Sequence, residues 1–315
     1  MTCSVSNILH RVSLPWIASP PETGHLRYMK RRLFRRSQQI SAICGVLLFL
    51  GAQRLVRGEP TPAAISTFNS YGTKVELRLA QQHRSANAFL APSASDPKSA
   101  ETRLRQGELI IERLTPSTGA DFSGALPHHW RGTAFAPGAK AADFERLMRD
   151  FNSYPRHFSP QVLQAKVLRQ EEDGAQVWMR VRQRHVMTVV MDTTYDITFG
   201  QLDAQHRFSI SKSTRIAEID SAGTSRERTL GANEEHGFLW RLNTYWSYEE
   251  RSGGLYLQIE AVSLTRSIPR GLGWAIRPYV ESIPRESLEF TLRSACSALR
   301  NLSQRASGNL ERTQG

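Results

Sequence analysis

A chain of 315 residues is long enough for one or two domains and for a core that encloses a cavity. Its formal charge of +12 would suit a polyanionic partner, but residues 1–58 hold nine Lys/Arg against one acid, Glu22, which leaves +4 for the remaining 257 residues. No basic stripe interleaved with aromatics is present, so nucleic acid is not an expected partner.

From Met29 a basic segment, MKRRLFRRSQQ, runs into the apolar stretch ISAICGVLLFLGA. A basic segment before an apolar run of about 13 residues has the form of a secretory signal, and the run is short for a membrane span. Val56-Arg57-Gly58 allows cleavage before Glu59. We expect translation from Met29, with residues 1–28 untranslated, and a chain exported to the periplasm or the extracellular space. An uncleaved N-terminal anchor is the alternative. Cys44 lies inside the apolar run rather than after a small residue at its end, which disfavours a lipoprotein. Cys3 and Cys44 both fall in this leader. Cys296 is then the lone cysteine of a processed chain, too few for a disulfide or a cysteine metal site.

Residues 59–125 read as an N-terminal extension that packs onto the next domain. Residues 59–64 are a linker, and 65–83 place Ile65, Phe68, Val75 and Leu79 near helical spacing. Residues 91–100, APSASDPKSA, read as an exposed linker, and 107–114 as a strand. From 126 the pattern is regular. HWRGTAFAPG is a strand ending in a Pro-Gly turn. Residues 141–151 are a helix with Phe144, Leu147, Met148 and Phe151 at helical spacing. Strands follow at 161–170, 175–190, 193–203, 206–220, 236–250 and 254–266, with turns marked by EEDG, DAQ and ERSGG. Short turns between strands predict an antiparallel meander. A last helix carries Leu288, Leu292, Cys296 or Ala295, Leu299 and Leu302 on one face. Pro284 is tolerable only in its first turn. Residues 304–315 are expected to be a disordered tail.

Strand, one or two short helices, six strands, long helix: this order, the HHWRGTAF strand, the DFERLMRDFNSYPRHFSP helical pair and the closing ESLEFTL helix resemble the START/Bet v1-like superfamily, also called SRPBCC, with its polyketide cyclase-like and coenzyme Q-binding-like proteins. FLWRLNTYWSYEE and SIPRGLGWAI look like an uncharacterised secreted bacterial branch. The resemblance covers about residues 126–303. It implies an α+β helix-grip fold, a curved antiparallel sheet wrapped around the C-terminal helix with a hydrophobic cavity between them. It also implies an apolar small molecule or lipid as ligand, with no cofactor.

Alternation along 236–250 puts Phe238, Trp240, Leu242, Thr244, Trp246 and Tyr248 on one face. They either line a pocket or fill a solid core. Along 175–190, Met179, Val181, Gln183 and His185 share the inward face, while Arg180, Arg182 and Arg184 face solvent. A buried Gln183 or His185 needs a partner, from a ligand or from the protein itself. Glu260 either pairs with an arginine across the sheet or serves as a general base. His185, Glu260 and Tyr248 are thus the catalytic candidates of a cyclase or dehydratase. Leu288 and Leu292 would line the helix side. Residues 267–284, with Trp274, form a lid or a peripheral membrane contact, or simply a packed turn. His128 and His129 lack the further ligands that a metal needs. Oligomeric state is not legible. Three functions compete: a carrier or sensor of an apolar ligand in the cell envelope, an enzyme, and an interaction module with a filled pocket.

Overall fold

The computed structural model describes residues 59–94, 96–114, 122, 124–184, 188–267 and 273–313, with the side chains of 273–281, 303 and 305–313 left out. The leader, His185 and the Trp274 side chain therefore lie outside the described residues. Two helices come first, α1 (Pro62–Gln82) and α2 (Pro97–Arg105), followed by strands β1 (Ile110–Arg113) and β2 (Ala125–Pro137). Helices α3 (Ala141–Arg149) and α4 (Tyr154–His157) precede β3 (Val162–Gln170), β4 (Gly174–Arg184), β5 (Thr188–Gln201) and β6 (His206–Asp220). Then come the short β7 (Arg228–Thr229), β8 (Arg241–Arg251), β9 (Gly254–Arg266) and α5 (Gly273–Thr313). The strands form one antiparallel sheet in the order β1-β2-β9-β8-β6-β5-β4-β3, with β7 beside β6. The sheet is curved and unclosed and wraps around α5, which is a helix-grip α+β fold.

Local chemistry explains most boundaries. Thr61 caps α1, its hydroxyl accepting from the Ala64 N–H at 3.1 Å, and Pro62 takes a first-turn position where no N–H is needed. Residues 97–100, expected in a linker, instead open α2. Asp96 accepts from the Ser99 N–H at 2.8 Å and Pro97 follows it, so the pair reads as N-cap and first helical residue. Helix α5 begins earlier than expected, at Gly273, so Pro284 sits in its interior rather than its first turn. Its missing N–H leaves one rung of the helix unmade.

Side chains alternate between the two faces of the sheet. The concave face carries Trp130, Gly132 and Ala134 of β2, Leu255, Leu257 and Ile259 of β9, and Trp246 and Tyr248 of β8. Together with α3 and the α5 residues Leu288, Leu292, Ala295 and Leu299 they form one apolar cluster. A second cluster joins Val177, Met179, Tyr195, Ile197 and Phe199 to Phe151, Tyr154 and Phe158, with Phe290 of α5 against it. The convex face of β8 and β9 is covered by α1, whose Phe68, Val75 and Leu79 pack on Tyr245, Val262 and Leu264. Each such side chain taken from water contributes about 1.5–3 kcal/mol.

Gly132 sets the distance between α5 and the sheet. A Cβ there would lie 2.6 Å from Leu292 Cδ1 and 3.0 Å from Leu288 Cδ2. Gly132→Val should destabilise the protein by about 1–3 kcal/mol through overpacking. The urea midpoint should fall with an unchanged slope; an unaltered midpoint would show that α5 does not bear on β2.

Candidate functional site

The concave face is not closed evenly. Trp246, Tyr248, Val177 and Tyr195 are buried, yet Leu242, Thr244, Ser211 and Ser213, which lie between the two apolar clusters, stay partly accessible. Register places them together: Trp130 opposes Ala261, Ala261 opposes Thr244, and Thr244 opposes Ser211. Beside this row, His128 opposes Ser263 and Ser263 opposes Leu242. Ala261, Thr244 and Ser211 carry short side chains and are only partly buried, on a face whose neighbours Trp246 and Tyr248 are buried. This strip is the candidate ligand site.

Of the expected pocket residues, Thr244 lies in the strip and Leu242 beside it, packed against the second cluster. Met179 and Val181 belong to the second cluster beside it. Gln183 is half-buried near the end of β4, on the same face as Val189 opposite it. Trp246 and Tyr248 flank the strip and are packed edge-to-face against Phe144 at 5.1 and 4.9 Å. Leu288 and Leu292 lie over Gly132 in the first cluster, against which Trp130 and Ala261 also pack.

Trp240 sits elsewhere. It joins the convex cluster with Phe68 and Leu264. The reason is Glu218. Its carboxylate accepts from the N–H groups of His236, Gly237 and Phe238 at 3.0, 2.9 and 3.1 Å, and from His236 Nδ1 at 2.8 Å. Gly237 takes a φ of 76°, open to glycine. The alternation of β8 therefore starts only at Arg241, and the Phe238 ring stacks on His236 at 5.4 Å between centroids.

Glu260 is also away from the strip. It lies on the convex face, buried beneath α1, where Arg78 donates to its Oε2. His129 Nε2 is 2.9 Å from the same oxygen, and the Tyr71 hydroxyl is 2.7 Å from His129 Nδ1. A carboxylate only accepts, so Nε2 carries the proton and Nδ1 accepts from Tyr71. Burial works to raise the Glu260 carboxyl, but the His129 hydrogen bond and the Arg78 charge outweigh it and hold the group below its ordinary value. The pairing with an arginine is real, though Arg78 comes from α1; Arg131, across the sheet, stands 3.9 Å off. Beside it, Gln258 clasps the Ala91 backbone, accepting from its N–H at 2.8 Å and donating to its carbonyl at 2.9 Å. Sequence reasoning missed this network. The available signal was Tyr71 and Arg78 flanking the apolar stripe of α1.

Tyr248 has a buried hydroxyl with no partner among the described residues, and burial pushes its phenol up. It can donate a hydrogen bond but holds its proton at neutral pH. His128 is buried on the concave face with Nε2 3.2 Å from the Thr265 hydroxyl, and burial beside Arg113 brings its imidazole down to about 4. Arg180 pairs with Asp192 at 2.7 Å and Glu227 at 2.6 Å, on the face opposite Met179.

Two surface grooves hold about 410 and 670 Å³. Ion pairs line both, Arg149 with Glu145 at 2.8 Å in one and Arg103 with Glu108 at 2.7 Å in the other. Among the described residues no group of three metal-ligating side chains converges, and no helix is long and apolar enough to cross a membrane. On α1 the exposed large apolar side chain is Leu77.

No protein-family model matches the chain, and no curated protein matches it. Similar solved structures include a Thermus thermophilus protein, 13% identical, covering 55% of this chain and 97% of its own, TM-score 0.41. A STAR-related lipid transfer protein from Xanthomonas axonopodis is 16% identical over 60% of this chain and 98% of its own, TM-score 0.37. An aromatase/cyclase from a Streptomyces species is 13% identical over 56% and 94%, TM-score 0.39. The helix-grip assignment stands on the strand order and register of this chain itself.

Burial predicts an acid-side loss of stability. His128 and His83 are both brought down to about 4, each mainly by burial, with Arg78 beside His83 adding to it. Below about pH 6.5 the unfolded chain takes up protons that the folded chain refuses, so stability falls from there to about pH 4 by up to about 3 kcal/mol per histidine. Glu260 adds a further loss below about pH 4.5, as its depressed carboxyl is protonated first in the unfolded state. Thermal melts of wild type and of the His83→Gln/His128→Gln double variant across this range check the sign: the double variant should be flatter above pH 4.5.

Proposed function

We propose that this chain binds an apolar small molecule or lipid in the concave strip between its two interior clusters, as a non-catalytic carrier or sensor in the cell envelope. The observation that carries the reading is accessible surface on an otherwise buried face, at Leu242, Thr244 and Ser211, walled by aromatic and aliphatic side chains. Pockets for small molecules have this makeup: apolar walls with few polar groups.

The non-catalytic part rests on what the strip holds. Glu260 faces the other side of the sheet, Tyr248 keeps its proton, and His128 is a weak base in its buried setting. The cell-envelope part rests on the leader in residues 29–58. The segment 267–284, with Leu272, Trp274 and Ile276 in its sequence, is the part that would touch a bilayer during loading.

The test is native mass spectrometry and solvent extraction of protein purified from its host. A bound apolar species is expected, and Nile red should bind the delipidated protein. Thr244→Trp should fill the strip and reduce Nile red affinity at least tenfold while leaving the far-UV spectrum unchanged. Protein that carries no such species and takes up no Nile red would sink the reading.

A further inference from the structure

Strand β1 forms one edge of the sheet and β3 the other. An edge strand presents backbone N–H and C=O groups that can pair with another chain, and most proteins blunt it. Strand β3 is blunted: its register against β4 slips twice, and it carries Lys166 and Arg169. Strand β1 runs Ile110-Ile111-Glu112-Arg113 in unbroken register with β2. Its acid, Glu112, is taken up by Arg131 at 2.9 Å and by the Ala94 N–H at 2.6 Å.

The ladder shows which backbone groups are spare. Leu114 N–H donates to the His129 carbonyl at 2.8 Å, so Glu112 and Ile110, two and four residues earlier, also turn their backbone groups toward β2. Ile111 lies between them and turns its N–H and C=O to the open side. Among the described residues nothing on that side bonds to either group, and Leu109 makes no backbone hydrogen bond. The strand is nonetheless held in place, because the Leu109 and Ile111 side chains pack against the cluster under α5 and Ile110 packs with Leu104 of α2.

The groove of about 670 Å³ runs along this edge. Leu109, Ile110 and Ile111 lie in it between two flanks. On the α2 side stand Arg103 and Glu108, paired at 2.7 Å. On the α5 side Arg285, Glu289 and Arg293 follow one another by a helical turn, and Arg293 pairs with Glu289 at 2.8 Å. Arg285 is exposed and has no carboxylate partner among the described residues. A bare strand edge beside a helix is the setting in which an extended peptide adds to a sheet, its main chain supplying the bonds and its alternate side chains the selectivity. A second copy of this chain would bring its own α2 and α5 to the same edge, whereas a lone segment brings no flanks.

We propose that the β1 edge docks an extended segment of a partner protein, which pairs with Ile111 and sets an acidic side chain against Arg285. This is independent of what the concave strip holds.

The experiment uses the full chain, isotope-labelled for NMR, and the end-blocked heptapeptide TVEVEVT, whose glutamates share one face. At up to about 1 mM peptide the Ile111 amide should move downfield and its hydrogen exchange should slow about tenfold. Two N-methylated versions of the peptide each block one of its edges. One should lose affinity at least tenfold and the other should keep it, since only one edge pairs. Replacing both glutamates by lysine should weaken binding, and the exposed Arg285→Glu variant should weaken the acidic peptide about fivefold and favour the lysine version. An Ile111 amide unmoved by the peptide overturns the proposal, as do two N-methylated peptides that behave alike. Slow Ile111 exchange in the free chain also overturns it: the edge is then covered already, by a second copy if protection rises with protein concentration and by the chain's own residues if it does not.

Discussion

Everything on the concave side depends on how closely α5 approaches β2. Two leucines, Leu288 and Leu292, rest where Gly132 has no side chain. With the helix pinned there, the β2, β9 and β8 side closes into solid packing with Phe144 and Trp246. The sheet then curves away toward β5 and β4, where Phe290 meets a separate cluster. Between the two contacts the row through Ala261, Thr244 and Ser211 carries short side chains that stay partly accessible. The partly accessible strip coincides with three short side chains beside one tight contact.

The convex side follows a different rule. There α1 and the segment after it cover β9 so thoroughly that nearly every residue of the strand is buried on both faces. A two-sided buried strand normally reads as a continuous apolar run. Here the outer face carries Gln258 and Glu260, and each is satisfied by the covering layer: Gln258 by the Ala91 backbone, Glu260 by Arg78 and His129. Polar groups in such a place specify position, since any shift of α1 along the sheet would leave them unpaired.

Local signals made most of the fold legible in the sequence. Turn residues such as Glu171 to Gly174 and Arg251 to Gly254 separate strands whose alternation fixes their faces, and the apolar spacing of Leu288, Leu292 and Leu299 marks the closing helix. What was not legible depends on distant partners. Trp240 leaves the expected face because Glu218, on β6, draws three successive N–H groups to itself before β8 begins. Glu260 reads as a lone acid in an apolar strand, since its arginine is 182 residues away in the chain. The strip itself was half legible: Leu242 and Thr244 were expected there, but Trp130 and His128 came only from the register of β2 against β9.

That register has a temporal side. Gly132 pairs with Ile259, so β2 waits through more than a hundred residues of chain before its neighbour exists. Sheets built from such distant pairs form slowly, because loop closure must precede any gain from contact. Helix α1 waits longer still for its place, since the surface that receives it is made by β8 and β9. The first described helix to be synthesised is therefore among the last pieces to be seated, and in the growing chain its stripe of Phe68, Val75 and Leu79 stays uncovered until the final strand is in place.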